Sequence, residues 1–168
     1  MKISYTGTHG TGKSTSVYKL ANELKIRHPG KTVGVFMDNA RNSPFGFNKN
    51  TPKEAQLWIF TSQLLNELTL GNKYDIIITD RSIFDSIAYV KFFGFVDLAD
   101  KMLKLGMEYM NSYDTIIFKT MVNNNYLVKE GEDRDVQDLT YRSGVEIILG
   151  DIYKYLLDNG AKFRFTKI

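Results

Sequence analysis

The sequence predicts a single α/β domain built on a parallel sheet, and three observations lead to this prediction. Short apolar runs alternate with helical patterns along the chain, which is typical of parallel strands joined by helices. Residues 76–78 are all isoleucine, as in a strand that is buried on both faces. Residues 7–14 read Gly-Thr-His-Gly-Thr-Gly-Lys-Ser, and this glycine-rich segment stands between a predicted strand and a predicted helix.

The first half of the chain predicts three strands and two helices. The first strand covers residues 3–6, the second residues 32–37 and the third residues 74–79. The first helix follows the glycine-rich segment, with apolar residues at helical spacing: Val17, Leu20, Ala21 and Leu24. The second helix is predicted to begin with Thr51 as N-cap, Pro52 at the first position and Glu54 closing a capping box, and to end at Gly71.

The second half predicts three helices and two strands. Helices are expected at residues 83–93 and 98–110, on either side of Gly94, and a short strand at 115–118. Residues 121–133 are polar and non-periodic, which indicates a loop. A last helix ends at Asn159-Gly160, and residues 162–165 form the last predicted strand. A chain of 168 residues is long enough for one domain, 1–168, with a sizeable core.

The composition narrows the class of protein. The chain has no cysteine, which excludes disulfides, zinc–thiolate sites and a cysteine nucleophile. No apolar run approaches the ~18–20 residues of a membrane span, and nothing at the N-terminus resembles a signal peptide. We therefore expect a cytoplasmic protein without membrane partners. The net charge of +3 is dispersed, which favours small anionic ligands over a nucleic-acid-binding face.

The glycine-rich segment matches the phosphate-binding pattern G-x-x-x-x-G-K-[ST] in full. Its glycines let backbone N–H groups point inward, and the following helix adds its positive end. Lys13 is expected to reach the terminal phosphates of ATP, and the Ser14 hydroxyl to bind Mg²⁺. His9 is expected to be an outer position rather than a catalyst. The predicted ATP-binding residues are Gly7, Thr8, His9, Gly10, Thr11, Gly12, Lys13, Ser14 and Thr15. The alternative is a glycine-rich turn without chemical meaning.

Charged residues also follow the second and third predicted strands. Asp80 ends the third strand and is expected to face Mg²⁺ or its water shell; the alternative is a solvated strand end. Arg81 offers a planar fork for phosphate oxygens, or a salt bridge to Asp80 or Asp85. Asp38 ends the second strand and could act as base towards an acceptor hydroxyl, although Asp38-Asn39 also reads as a turn.

Several further residues could contact a ligand or could have only a structural role. Arg41 could clamp the acceptor, and Phe45, Phe47, Phe84 or Tyr89 could stack on a base. Arg134 and Arg142 could neutralise charge as a phosphoryl group is transferred. The same two arginines lie four residues from Asp138 on either side, so they could equally form a surface ladder of ion pairs on one helix.

These residues together resemble the nucleoside and nucleotide kinase branch of phosphate-loop proteins, including thymidylate and deoxynucleoside kinases. The resemblance rests on Gly7–Ser14, on Asp38-x-x-Arg41 and on Asp80-Arg81-Ser82. Residues 40–45, 54–59 and 80–89 also resemble small phage ATPase/kinase-like proteins related to nicotinamide riboside kinase.

The resemblance implies a five-stranded parallel sheet in the order 2-3-1-4-5, with helices on both faces and a lid at about residues 121–140. It implies Asp38 as the base-like carboxylate, Arg81 on the acceptor or phosphate, and Arg134 and Arg142 as lid arginines. The acceptor-binding set is then Asp38, Arg41, Phe45, Arg81 and Asp85, and the metal-binding set is Ser14 and Asp80.

The sequence thus predicts a kinase that uses ATP and Mg²⁺. Its acceptor would be a nucleoside, a nucleoside monophosphate or a related ribosyl compound such as nicotinamide riboside. Asp38 favours a hydroxyl acceptor and the arginines favour a monophosphate, so the choice between them stays open. A modified base in DNA is a third acceptor, although nucleic acid is not the expected partner. A regulatory NTPase without an acceptor is the alternative of another class. Assembly as a homodimer is left open.

Overall fold

The computed structural model describes residues 1–45, 51–121 and 138–168, with the side chain of Arg41 outside the description. Its five strands are β1 (Lys2–Thr6), β2 (Val33–Phe36), β3 (Ile76–Asp80), β4 (Thr115–Phe118) and β5 (Arg164–Lys167). They form one sheet in the order β2-β3-β1-β4-β5, and every neighbouring pair is parallel. This confirms the predicted fold class and strand order. The predicted lid lies mostly outside the described residues.

Five helices connect the strands and cover both faces of the sheet. They are α1 (Lys13–Arg27), α2 (Lys53–Gly71), α3 (Ile83–Phe92), α4 (Val96–Tyr109) and α5 (Leu139–Asp158). One core lies between α1 and the sheet, where Val17 packs with Tyr5, Ile76 and Ile78. The larger core lies on the other face, where residues of α3, α4 and α5 pack on β4. Within the described part of the chain, no helix is both long and apolar enough to cross a membrane.

Helix α2 begins differently from the prediction. Its N-cap is Pro52, with extended backbone at ψ 157°, and no side chain caps the helix. The capping box predicted from Thr51 and Glu54 is therefore wrong. The sequence pattern that does form a capping box is Ser82-x-x-Asp85 at the start of α3. There, the Ser82 hydroxyl accepts from helical N–H groups and the Asp85 carboxylate accepts from the Ser82 N–H.

The last strand begins two residues later than predicted. Pairing with β4 sets its position, because Thr115 lies opposite Arg164 and Phe118 opposite Lys167.

The register of β1 determines which strand ends lie together at the candidate site. Tyr5 lies opposite Asp80 on β3 and Thr6 opposite Phe118 on β4. The carboxyl ends of three central strands therefore meet around the glycine-rich segment that follows β1.

Candidate active site

Residues 7–12 curl at the carboxyl end of the central strand β1. Gly7, Gly10 and Gly12 have φ angles of 137°, 72° and 69°, which side chains with a Cβ rarely adopt. A Cβ atom at Gly7 would also overlap the carbonyl oxygen of Lys119, which follows β4. Helix α1 begins directly after Gly12, so the positive end of its dipole faces the curl. This backbone has the form of an anion-binding loop.

Lys13 lies inside this loop with only 6% of its surface exposed. Its Nζ donates to the carbonyl oxygen of Thr8 at 2.6 Å and to Oγ1 of Thr11 at 3.4 Å. Burial, together with the nearby charge of Arg81, lowers the pKa of Lys13 to about 7, although nearby carboxylates oppose the shift. Because two neutral oxygens are its hydrogen-bond partners, the ammonium group would gain from an anionic ligand in the loop.

Ser14 and Asp80 place two oxygen-bearing side chains beside the loop. The Ser14 hydroxyl donates to Oδ2 of Asp80. The second carboxylate oxygen, Oδ1, is buried and has no hydrogen-bond partner among the described residues. Burial raises the pKa of the Asp80 carboxyl, and Lys13 and the Ser14 hydrogen bond oppose this shift. An orphaned buried carboxylate oxygen next to a hydroxyl is a suitable donor set for Mg²⁺, which prefers oxygen ligands.

Asp38 and Arg81 form an ion pair across the ends of β2 and β3. Nε of Arg81 donates to Oδ2 of Asp38 at 2.8 Å, and Oδ1 of Asp38 accepts from the Ala40 N–H at 3.0 Å. The turn at Asp38 and its ion pair with Arg81 therefore coexist. Arg81 has a φ of 81° and is the only described residue other than glycine with a positive φ. Such strain persists where surrounding contacts hold it, often at functional sites.

The Arg81 guanidinium is fully charged despite its burial. Desolvation disfavours its charge, but Tyr89, Asp38 and Asp85 outweigh this and raise the pKa of Arg81 well above its usual value. A buried, permanently charged guanidinium next to the phosphate loop is suited to binding an anionic or hydroxyl oxygen.

Asp85 supports the site from behind and is fully buried. Its carboxylate accepts from the Thr6 hydroxyl at 2.7 Å, the Gly7 N–H at 3.2 Å and the Ser82 N–H and hydroxyl at 2.9 and 3.0 Å. It also pairs with Nη1 of Arg81 at 3.4 Å. Both oxygens accept hydrogen bonds from internal donors, so Asp85 supports the loop and Arg81, and its contact with an acceptor stays a prediction.

Arg142 is also fully buried. Its Nε donates to the carbonyl of His9 at 3.1 Å and its Nη2 to that of Gly10 at 3.4 Å. Asp138 is the N-cap of α5 and accepts from the Tyr141 N–H. The solvated surface ladder is therefore wrong for Arg142, because its guanidinium holds the backbone of the phosphate loop.

The structure describes the remaining predicted site residues only in part. Arg134 and Phe47 lie outside the described residues, as does the side chain of Arg41. Phe45 is described and is 49% exposed, so no contact in the structure places it in the site.

A buried polar network behind Arg81 was missed at the sequence level. Nε2 of Gln63 donates to the Arg81 carbonyl at 3.1 Å and to Oε1 of Glu67 at 2.7 Å. Glu67 also accepts from the Tyr113 hydroxyl at 3.0 Å and pairs with Lys2 at 3.1 Å. A signal was present, because Gln63 and Glu67 lie at helical spacing from the buried Phe60 on α2. Polar residues on the apolar face of a helix indicate internal partners.

Lys119, which follows the fourth predicted strand, is a second residue to which the sequence assigned no role in the site. Its Nζ donates to the Ser16 hydroxyl at 2.8 Å and to the Gly12 carbonyl at 3.4 Å, and burial lowers its pKa. It therefore ties the end of β4 to the first turn of α1, which supports the loop from the side opposite Asp80.

Comparison with known proteins identifies a family model and similar folds. A family model described as an AAA domain matches residues 2–156. The fold is similar to that of deoxyadenosine kinase from M. mycoides with bound dATP, with a TM-score of 0.65 and 19% identity over 100% of this chain and 90% of that one. It is similar to thymidylate kinase from Ehrlichia chaffeensis, with a TM-score of 0.65 and 22% identity over 100% and 91%. The comparison with curated proteins gave no match.

Proposed function

Because the chain belongs to the AAA domain family, we propose that it is an ATP-dependent kinase, which transfers the γ-phosphoryl group to a nucleoside, a nucleoside monophosphate or a related ribosyl compound. One observation carries this proposal. The Asp38–Arg81 pair lies at the same edge of the sheet as the phosphate loop, and Nη1 of Arg81 donates to the Gly7 carbonyl at 3.3 Å. Two chemically different sites thus adjoin each other. The similarity in fold to kinases of deoxyadenosine and thymidylate supports this reading.

The phosphate loop would bind the triphosphate. Its inward N–H groups and the N-terminus of α1 favour negative charge, and Lys13 would exchange the neutral oxygens of Thr8 and Thr11 for phosphate oxygens. Arg142, which the sequence predicted to be a lid arginine, has a different role in this proposal. It holds the carbonyls of His9 and Gly10, so it fixes the shape of the loop rather than closing over the ligand from outside.

Ser14 and Asp80 would hold Mg²⁺. The unpartnered Oδ1 of Asp80 and the Ser14 hydroxyl fit an ion of this kind. When bound beside ATP, Mg²⁺ neutralises charge on the phosphate oxygens.

The Asp38–Arg81 pair would bind the acceptor. The Asp38 side chain is 12% exposed, so a ligand can reach it. Asp38 would accept the proton of an acceptor hydroxyl, or hold that hydroxyl in line. Arg81 would bind a phosphate or hydroxyl oxygen of the same acceptor.

The decisive experiment is to measure ADP release from ATP with and without deoxyadenosine, deoxycytidine, thymidine monophosphate and nicotinamide riboside. A kinase should release ADP at least tenfold faster with its acceptor. Equal release under all conditions would instead indicate an NTPase without an acceptor.

The role of Asp80 is tested by a Mg²⁺ titration of the same reaction. Asp80→Asn should raise the Mg²⁺ concentration needed for half-maximal rate, whereas the matched control Asp100→Asn, on the exposed surface of α4, should leave it unchanged. An unchanged titration for both variants would indicate that Asp80 only ends strand β3 and does not bind Mg²⁺.

A further inference from the structure

Tyr89 on α3 contacts both halves of the site. Its hydroxyl pairs with Nδ1 of His9 on the phosphate loop at 3.2 Å and accepts from Nη2 of Arg81 at 3.4 Å. The Tyr89 ring also lies against the guanidinium group, with Cζ of Arg81 5.1 Å from the ring centroid. This distance is within the range of a cation–π contact.

The hydrogen-bond partners of Arg81 show which part of its guanidinium group Tyr89 contacts. A guanidinium has five N–H donors in a rigid fork. Nε donates to Asp38, and Nη1 has the Gly7 carbonyl and Asp85 as partners. Nη2 donates to Tyr89. Within the described part of the chain, this leaves one N–H without a partner, and it is on Nη2, the nitrogen that Tyr89 holds.

The backbone of Arg81 is held separately from its guanidinium group. Its φ of 81° is strained for a residue with a side chain. The Gln63 amide donates to the Arg81 carbonyl at 3.1 Å, and the Arg81 N–H donates to the carbonyl of Tyr5. The main chain is thus anchored at the end of β3, and Tyr89 is the described partner of Nη2, while Asp38, Asp85 and the Gly7 carbonyl hold the rest of the guanidinium group.

We propose that Tyr89 is a positioning residue, which fixes the Nη2 end of Arg81 against the phosphate loop so that its remaining N–H meets an oxygen of the acceptor. This inference rests on the proposed function and deepens it. Tyr89 does not touch the reacting atoms in this scheme. It acts through Arg81, and its contact with His9 ties the position of Arg81 to that of the loop that binds ATP.

The competing explanation is plain packing. Tyr89 lies 6.1 Å from the ring of Tyr141, which in turn contacts His9, Phe92 and Phe93. If Tyr89 served only this aromatic cluster, its hydroxyl would be dispensable for catalysis, and loss of the ring would lower stability alone.

The test compares Tyr89→Phe, which removes the hydroxyl, with Tyr89→Leu, which also removes the ring. Tyr155→Phe on α5, 46% exposed, is the matched control. For each protein we would measure kcat, KM for ATP, KM for whichever of deoxyadenosine, deoxycytidine, thymidine monophosphate and nicotinamide riboside supports turnover, and the melting temperature.

Tyr89→Phe should raise the acceptor KM by about tenfold, as expected for loss of one hydrogen bond to a charged group. The KM for ATP should stay within about twofold of wild type, and the melting temperature should hardly change. Tyr89→Leu should raise the acceptor KM further, and Tyr155→Phe should change none of these values.

Two results would overturn the inference while leaving the proposed function intact. One is an acceptor KM of Tyr89→Phe equal to that of wild type. The other is an equal rise in both KM values together with a lower melting temperature, which would indicate a structural role. A wild-type protein whose ADP release no acceptor accelerates would overturn the proposed function, and this inference with it.

Discussion

The phosphate-loop side and the Asp38–Arg81 side of the site are held by different kinds of contact. On the loop side, Lys13 donates to a main-chain oxygen five residues away, and the glycines form the curl through their own backbone angles. On the other side, Arg81 is held by side chains 43 and 4 residues away, Asp38 and Asp85, and by the Gln63 amide from α2.

This difference has a physical consequence. A loop built from backbone groups tolerates side-chain changes that do not alter its path, whereas a set of mutually paired buried side chains fails when one member is removed. Substitutions on the loop side should therefore affect chemistry more than stability, and substitutions in the side-chain network should affect both.

A large loss of turnover is expected for Lys13→Ala. Loss of the cation that meets the terminal phosphates should lower turnover by at least about 10²–10³-fold. The melting temperature should not fall, because the variant also removes a buried ammonium group whose pKa is lowered to about 7. Lys154→Ala, on the exposed surface of α5, is the control. Near-wild-type turnover of Lys13→Ala would contradict the assignment of the phosphate loop.

Asp38→Asn tests the proposed role of Asp38 as a base on the other side of the site. A base or hydroxyl-positioning group contributes roughly 10²–10⁴-fold to the rate, so phosphoryl transfer should fall by this range while ATP affinity is kept. The measurement pairs steady-state turnover with equilibrium binding of ATP. If binding and transfer fall in equal proportion, Asp38 is a structural partner of Arg81 and nothing more.

The same contrast explains what could be predicted from the sequence. The phosphate loop is a local pattern, and its glycine positions and the start of α1 could be predicted from residues 7–14. The proximity of Asp38, Asp80 and Arg81 to the loop was also predictable, because the carboxyl ends of parallel strands share one edge of the sheet.

The remaining contacts depend on which turn of a helix meets which loop, and spacing along the chain does not specify this. Arg142 and Asp138 are four residues apart on the sequence and suggested a surface pair, yet packing of α5 against the loop buries Arg142 completely. Asp85 is a partial exception. The pattern Ser82-x-x-Asp85 is itself a capping-box signal, and it could have shown that this carboxylate has a local structural partner.

Asp85→Asn should show the vulnerability of the side-chain network. Removing one partner of a buried ion pair costs about 3–5 kcal/mol of unfolding free energy, and this carboxylate also accepts from Thr6, Gly7 and Ser82. Urea unfolding should register that loss, and both ATP and acceptor KM should rise. A stable variant with only the acceptor KM raised would instead support direct acceptor contact by Asp85.

Arg142→Met separates the buried clamp from the surface ladder. Loss of two charged hydrogen bonds to the loop carbonyls should cost about 3 kcal/mol of unfolding free energy and weaken ATP binding. Asp138→Ala, which removes the N-cap of α5, should cost about 1 kcal/mol and leave ATP binding unchanged. A surface ladder would make the two variants alike, at about 0.3–0.5 kcal/mol each, and that result would contradict the buried position of Arg142.

The smallest expected effect is a pH dependence confined to the network behind Arg81. Burial raises the pKa of Glu67 above its usual value near 4.5, although Lys2, Gln63 and Tyr113 oppose the shift. The folded protein therefore holds this proton to higher pH than the unfolded chain does. The unfolding free energy must then fall as pH rises from about 4.5 through the raised pKa.

The E67Q variant has no group to titrate at this position, so the difference in unfolding free energy between wild type and E67Q should decrease over that window and be constant above it. Glu54→Gln, at an exposed position of the same helix, should run parallel to wild type. Urea unfolding between pH 4 and 8 measures all three proteins. Parallel curves for wild type and E67Q would show that the Glu67 carboxylate is as well solvated by its three donors as by water.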